Sequence, residues 1–305
     1  MSPTTTTRPS RTPTSPSRLG LPVPSITIPL RITRSSIIPL PPHYETTVLT
    51  VTSAQIIRID LAYKGTHFRG FAETPGVPTV GGEIRSAIQQ VLGEPIDLAV
   101  AGRTDAGVHA SGQVISFRTT SDRFDPERLR NSINRICGPD IQVHDIRTVE
   151  ANFDARFSAA RRLYHYNVLN SPVADPLRSD IEWHIKEPLN IDEMNQAAQR
   201  FLGQHDFTSF CRRPKGKPEA SLVRTIHRAE WHLFPKHRIQ FEVAANAFCH
   251  QMVRSLVGFC VAVGTNKRLA QDVETVLIAK DRSLATHIAP PHGLTLVHVS
   301  YPQHD

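Results

Sequence analysis

The sequence predicts an α+β fold made of two halves, each a split-βαβ unit of the ferredoxin-like kind. From Gln55 onward, strand-like and helix-like periodicities alternate in the order β-α-β-β-α-β, and the same order can be read again after residue 150. Two such units side by side predict an antiparallel-rich sheet with helices on one side and a cleft between the halves. No residue-level repeat is visible, so the duplication rests on pattern alone.

The first half, residues 55–150, contains two helices with clear terminal signals. The first places five apolar residues on one face and ends at Gly93, whereas the second begins with Asp125 as N-cap and Pro126 in the first turn and ends at Gly138. The apolar residues of the first helix are Val80, Ile84, Ala87, Ile88 and Val91. The predicted helices span 80–92 and 125–136, and the predicted strands span about 55–63, 97–101, 113–119 and 141–146.

The second half, residues 151–305, repeats this order. Asn190 and Glu193 form a capping-box-like start for its first helix. The predicted strands span about 162–169, 222–233, 238–245 and 294–300, and the predicted helices span about 190–202, 247–263 and 270–280.

Residues 1–54 form a separate extension rich in Ser, Thr and Pro, and we expect it to be disordered. It has five arginines and no acidic residue before Glu45, and its prolines are too frequent for a helix or a central strand. Such a segment resembles an organellar transit peptide, although the prolines interrupt any amphipathic helix. A misassigned start codon explains it equally well, and the sequence does not choose between the two.

Composition narrows the class of protein. No apolar run approaches the roughly 20 residues that a membrane span requires. The four cysteines form no C-x-x-C pair, so neither a zinc ribbon nor a disulfide framework is expected, and we expect a reducing, cytoplasmic location. The 15 histidines show no metal-ligand spacing, which indicates that no metal is bound.

Positive charge is concentrated in two places. The net charge of +7 includes +4 from residues 1–54, so any nucleic-acid footprint on the rest must be local. Residues 211–238 carry eight basic residues against Glu219 and Glu230, and are interpreted either as a solvated loop and strand face or as an RNA contact. The four candidates for substrate binding there are Arg212, Arg213, Lys215 and Lys217.

The segment AGRTDAGVHASGQVISF, residues 101–117, carries a single carboxylate, Asp105. Gly102 and Gly107 permit a tight turn, and Arg103 lies two residues away. The local pattern has two readings, a turn whose aspartate bonds its own backbone and a turn that presents a nucleophile.

GRTDAGVH followed by GQV resembles the catalytic segment of the TruA-type tRNA pseudouridine synthases. Further segments match this family in order, so that the resemblance extends from about Gln55 to Pro302. One segment departs from it, because Gly70-Phe71-Ala72 stands where many members have Gly-Trp-Gln. The further matching segments are FDARFSA (153–159), Tyr164 with Tyr166, GQHDFTSF (203–210), ANAFCHQMVRSLVG (245–258) and GLTLVHVSYP (293–302).

The resemblance implies the pseudouridine synthase fold, with a catalytic cleft between its halves. It also implies a role for five residues. Asp105 would be the essential carboxylate, Arg254 would pair with it, and Arg103 would contact the RNA where the target base leaves the stack. Tyr164 would lie against that base, and Leu294 would close the other side of its pocket.

The implied reaction is the isomerisation of uridine to pseudouridine, which needs no redox partner, metal or nucleotide cofactor. The carboxylate can attack C1′, add to C6 or remove the 2′ proton, and the sequence leaves these routes open. The resemblance further implies a homodimer that binds tRNA across both subunits and modifies anticodon-arm uridines around positions 38–40. A noncatalytic RNA-binding α+β protein is the alternative, whereas a D-x-D phosphatase is excluded because no second aspartate lies near Asp105.

Overall fold

The computed structural model describes residues 54–214, 216–285 and 287–302. Five α-helices and ten strands form within these residues, and all ten strands belong to one mixed, mostly antiparallel sheet, which confirms the α+β prediction. The expectation for the extension falls outside the described residues except at Ala54, and Lys215 also lies outside them. Within the described ranges, no helix is both long enough and apolar enough to span a membrane.

The elements of the first half follow the predicted order, whereas the second half contains two additional short strands. The strands are β1 (Gln55–Tyr63), β2 (Ala99–Val100), β3 (His109–Thr119), β4 (Ile141–Val149), β5 (Arg161–Asn170), β6 (Trp183–Ile185), β7 (Gly203–Asp206), β8 (Val223–Phe234), β9 (Arg238–Ala245) and β10 (Leu294–Ser300). The helices are α1 (Val80–Leu92), α2 (Pro126–Cys137), α3 (Ile191–Gln199), α4 (Met252–Gly264) and α5 (Asp272–Ala279).

The last strand of the chain lies in the middle of the sheet. The strand order is β4-β1-β3-β10-β5-β9-β8-β7, with β2 paired to β3 and β6 to β5. Strand β10 is antiparallel to β5 but parallel to β3, where Thr295 lies opposite His109 and Leu296 opposite Ala110. A side chain on Gly112 would lie 2.0 Å from the carbonyl oxygen of Val297, so this glycine permits the close approach of β10 to β3. The two halves therefore share one sheet.

The helix termini confirm most of the sequence signals. The Thr79 hydroxyl accepts the Gly82 N–H at 3.3 Å, and Gly93 adopts a left-handed φ of 74°, so α1 spans the predicted residues. Asp125 caps α2 by accepting the Arg128 N–H at 2.6 Å, and Asn190 caps α3 by accepting the Glu193 N–H at 3.2 Å.

The main differences from the prediction are three boundaries and two short strands. Helix α4 begins at Met252, not 247, because residues 246–251 form a turn that ends at Gln251 with a φ of 64°. Helix α3 ends at Gln199, and the short strand β7 follows it. Strand β3 begins at His109, not 113, because its first residues pair with β10. Strands β6 and β7 were not predicted.

Helix α4 is a core helix with one exception. Every residue of α4 is buried except Arg254, which lies in its first turn and keeps 15% of its side chain exposed. The apolar helix is thus fixed on nearly all sides by the hydrophobic effect. Arg254, the single cation of α4, lies at the surface between the two halves.

Candidate active site

A cleft of about 870 Å³ lies between the two halves, within the size range of ligand sites. Residues from β2, the β2–β3 loop, β5, the β9–α4 turn, α4 and β10 line it. The structure brings five of the predicted site residues together here: Arg103, Asp105, Tyr164, Arg254 and Leu294.

Asp105 lies in a tight turn just before β3. Its carbonyl oxygen accepts the Val108 N–H at 3.1 Å, and Gly107 between them has a φ of 79°. Gly70 packs against the other side of the turn, where a β-carbon would lie 2.9 Å from the Thr104 carbonyl oxygen. The turn leaves 22% of the Asp105 side chain exposed to the cleft. The aspartate is therefore presented by a fixed backbone.

A buried polar network holds this loop to the sheet. The Tyr63 hydroxyl lies 2.8 Å from the Thr104 hydroxyl and accepts a hydrogen bond of 3.1 Å from the Gln113 amide. The same amide nitrogen donates to the Gly102 carbonyl oxygen at 2.8 Å. Burial raises the pKa of Tyr63 to about 12, so its hydroxyl stays protonated. Tyr63 and Gln113 were not singled out from the sequence, although Gln113 belongs to the GQV motif.

Two basic side chains flank the Asp105 carboxylate. Arg254 Nη1 lies 3.4 Å from Oδ2, as the sequence interpretation of this arginine requires. His250 Nε2 lies 3.3 Å from Oδ1, a contact that sequence reasoning missed. Each oxygen of the carboxylate thus has one nitrogen partner within 3.4 Å. Among the described residues, no group of three or more His, Cys, Asp or Glu side chains could hold a metal ion.

A disulfide lies next to His250 and corrects the cysteine prediction. Cys211 and Cys249 are bonded, with their Cα atoms 5.8 Å apart, although 38 residues separate them in sequence. The Arg212 N–H donates to the His250 carbonyl oxygen at 2.9 Å beside this link. The bridge joins the segment after residue 210 to the β9–α4 turn, and so restrains the backbone that carries His250.

Tyr164 and Leu294 form an apolar part of the cleft wall. Both are buried, with 7% and 5% of their surfaces exposed, and they lie on the adjacent strands β5 and β10. The Tyr164 ring meets Phe248 edge to face at a centroid distance of 5.1 Å. Burial raises the pKa of Tyr164, so the phenol is neutral at physiological pH.

The predicted RNA-contacting residues occupy different positions. Arg103 is exposed on the cleft wall and forms no ion pair with Asp105. Arg212, Arg213 and Lys217 are exposed outside the cleft lining, and the Arg213 guanidinium donates to the Pro218 carbonyl oxygen at 2.6 Å.

Two other cations of the basic segment are engaged in ion pairs. Arg228 contacts Glu242 at 2.7 Å, and Arg238 contacts Asp175 at 2.7 Å. Because carboxylates balance their charge, these two arginines should attract phosphates less strongly than the number of basic residues in segment 211–238 suggests.

Arg162 is a further residue that sequence reasoning missed. Its guanidinium is 8% exposed and donates to four carbonyl oxygens, those of Ala101, Arg156, Ala159 and Asn246, at 2.7–3.1 Å. These carbonyls belong to three segments of the cleft wall. Arg162 thus stabilises the cleft through neutral acceptors, which suit the planar, five-donor guanidinium.

The segment that departs from the family pattern has a structural role here. The Phe71 ring is buried and lies 6.2 Å from the Tyr63 ring, and the Phe71 N–H donates to the Thr104 carbonyl oxygen at 3.1 Å. Ala72 lines the cleft beyond it. This segment therefore supports the Asp105 turn from behind.

Comparison with known proteins gives consistent similarities. Residues 61–158 and 197–302 match a family model described as tRNA pseudouridine synthase. The chain is 40% identical over 268 residues to tRNA pseudouridine synthase A of Corynebacterium glutamicum, covering 82% of this chain and 90% of that protein. It is 38% identical over 243 residues to the protein of the same name from Thermosipho melanesiensis, covering 80% of this chain and 98% of that protein.

Proposed function

Because this chain belongs to the tRNA pseudouridine synthase family, we propose that it isomerises uridine to pseudouridine in tRNA, in the anticodon arm around positions 38–40. The observation that carries the proposal is the position of Asp105. Its carboxylate faces the cleft from a fixed turn, with Arg254 and His250 at 3.4 and 3.3 Å. These contacts orient the carboxylate toward a cleft of nucleotide size.

The reaction breaks the bond between C1′ and N1 of uridine and forms one between C1′ and C5. The base rotates between these steps, N1 gains a proton and C5 loses one, so no oxidant or reductant is consumed. Asp105 can attack C1′, add to C6 or remove the 2′ proton, and each route requires the ionised form. Arg254 and His250 would hold the Asp105 carboxylate in place while the uracil base is detached and rotated.

The cleft wall supports separate roles for three further residues. Tyr164 and Leu294 are buried beside Asp105, where a phenol ring and an aliphatic side chain can enclose a uracil ring. Arg103 is exposed and unpaired with Asp105, which suits a contact to RNA at the point where the base is extruded.

Binding of the rest of the tRNA is assigned to basic residues near the cleft. Arg212, Arg213 and Lys217 are exposed, and Lys215 belongs to the same predicted set. We further propose, on the resemblance alone, a homodimer that binds tRNA across both subunits. Light scattering of the purified protein tests the dimer, which predicts twice the mass of one chain.

The decisive experiment uses a tRNA transcript labelled with tritium at C5 of its uridines. The wild-type protein should release tritium and leave pseudouridine in the anticodon arm, mapped by carbodiimide modification and primer extension. Asp105→Asn keeps the shape of the side chain but removes its charge, so it should bind the tRNA and release no tritium. Binding without release by the wild type would instead favour the noncatalytic RNA-binding alternative. Appreciable turnover by Asp105→Asn would refute the assignment of the carboxylate.

A further inference from the structure

Phe157 presents an unusual apolar surface beside the candidate active site. Its relative exposure is 80%, and it lines the same cleft as Asp105. The other large hydrophobic side chains with high exposure in the described residues, such as Leu177 at 90%, lie outside the cleft lining. Exposing a phenyl ring forgoes the free energy of its burial, so a ring held beside an active site suggests a ligand.

The exposure of Phe157 is fixed by its backbone. One oxygen of the Asp154 carboxylate accepts the N–H groups of Arg156 at 2.7 Å and Phe157 at 2.8 Å. The Ser158 hydroxyl accepts the Asp154 N–H at 3.0 Å, and the buried Arg162 guanidinium donates to the Arg156 carbonyl oxygen at 2.8 Å. The ring therefore stands on a braced turn immediately before β5.

A cation accompanies the ring. The Arg156 guanidinium lies 5.2 Å from the Phe157 ring centroid and also lines the cleft. Arg156 forms no ion pair with a carboxylate among the described residues. An aromatic face beside an uncompensated guanidinium matches the chemistry of single-stranded RNA, in which flat bases alternate with phosphates.

We propose that Phe157 and Arg156 form a stacking platform for an unpaired nucleobase of the substrate RNA next to the target uridine. The target itself is assigned to the buried pocket of Tyr164 and Leu294, whereas Phe157 stands at the exposed rim. The platform would hold the neighbouring base after the target leaves the stack, and Arg156 would contact the phosphate between them. This inference rests on the proposed function, because it assumes an RNA substrate in the cleft.

The first test compares Phe157→Ala with Phe157→Trp, with Leu177→Ala as a matched control for removing an exposed apolar side chain. Tritium release is measured over a range of tRNA concentrations. Loss of one stacked base should raise KM by roughly five- to a hundredfold in Phe157→Ala. Phe157→Trp should remain close to wild type because indole also stacks, and Leu177→Ala should be unchanged. An unchanged KM in Phe157→Ala, or an equal defect in Phe157→Trp, would overturn the platform.

The second test uses RNA in which a nucleotide flanking the target uridine is abasic. Wild-type KM should rise on one of the two abasic substrates, whereas Phe157→Ala should lose nothing further on it. The fluorescence of the indole introduced by Phe157→Trp should also fall when intact RNA binds and fall less with the abasic RNA, with wild-type fluorescence as the baseline. This readout does not need turnover, so it separates failure of the platform from failure of the proposed reaction. A change in oligomeric mass in Phe157→Ala would place the ring in a subunit interface and overturn the proposal.

Discussion

Arg254 divides its guanidinium between the Asp105 carboxylate and a backbone carbonyl. Nη1 lies 3.4 Å from Asp105 Oδ2, while Nε donates to the Ala289 carbonyl oxygen at 2.7 Å. The Ala289 N–H in turn donates to the Arg254 carbonyl oxygen at 3.0 Å. The segment before β10 therefore orients the arginine that faces the aspartate. A guanidinium can make both contacts at once because its donors form a rigid fork.

The first prediction concerns this division of contacts. Arg254→Lys keeps the charge but cannot reproduce both directions of donation, and Arg254→Leu leaves the carboxylate without its main cation. We expect kcat/KM for tritium release to fall on the order of a hundredfold in Arg254→Leu, because the carboxylate loses its guanidinium partner. Arg254→Lys should lose less activity, because the ammonium keeps the charge but not the second contact. Equal losses in the two variants would contradict this account.

The second prediction assigns a positioning role to His250. Its Nε2 lies 3.3 Å from Asp105 Oδ1, so removing the ring deletes one partner of the carboxylate. His250→Ala should lower kcat by roughly ten- to a hundredfold, the scale of a hydrogen bond to a charged group. His250→Gln carries an amide N–H at a similar reach and should recover most of that loss. Equal kcat values for His250→Ala and wild type would remove the residue from the site.

The third prediction separates Arg103 from Arg254. Arg103 is exposed and does not contact Asp105, so its proposed role is extraction of the base from the RNA stack. Arg103→Ala should be more defective on a stably folded anticodon stem than on an RNA whose target uridine is already unpaired. Arg254→Leu should be equally defective on both. We would abandon the division of roles if the two variants showed the same dependence on substrate structure.

The fourth prediction concerns stability and pH at His109. Burial lowers the pKa of His109, whose Nδ1 accepts the Gly65 N–H at 3.1 Å in the neutral form. The unfolded chain takes up this proton near pH 6.5, whereas the folded chain does so only at lower pH, so the unfolding free energy should fall as the pH drops below about 6.5. The loss should end once the pH is below the folded-state value, and one proton contributes at most about 1.4 kcal/mol per pH unit.

Urea unfolding at pH 7.5, 6.5 and 5.5 measures this effect. His109→Gln should be less stable than wild type at pH 7.5, yet its stability should depend less on pH. His165 and His292 are also partly buried with lowered pKa values, so His165→Gln on β5 serves as the matched comparison for a second partly buried histidine. A pH dependence in His109→Gln equal to that of wild type would show that the proton is taken up elsewhere.

The sequence correctly predicted those helix ends that are determined by residues next to them in the chain. The predicted bounds of α1 are correct because Gly93 ends the helix in a left-handed conformation, and Thr79, which was not singled out from the sequence, caps its start. The predicted start of α4 is wrong, because the apolar residues at 247–249 pack against the cleft from a turn instead of a helix. Hydrophobic periodicity cannot distinguish an apolar turn from the first turn of an apolar helix, since both bury the same side chains.

The relationships within the site were predictable only in part. The matched motifs placed Asp105 and Arg254 in one cleft although 149 residues separate them, but they contained no signal for the hydrogen bonds of Arg162. The pairing of Cys211 with Cys249 depends on the distance between two loops, which no spacing rule encodes. The exposure of Phe157 could not be predicted from the sequence either, because phenylalanine is a residue type typical of the core.

The central position of β10 has a consequence for how the protein is made. Residues 294–300 are synthesised after every other strand of the described sheet, yet they separate β3 from β5 and contribute Leu294 to the cleft wall. While the ribosome still holds this segment, β3 lacks its neighbour, and Asp105 lacks the Ala289 carbonyl that orients its arginine. The first half of a nascent chain can fold early, but the cleft is complete only after β10 has left the ribosome. Chains that terminate early should therefore be inactive, and their uncovered β3 edge should make them targets for chaperones and proteases.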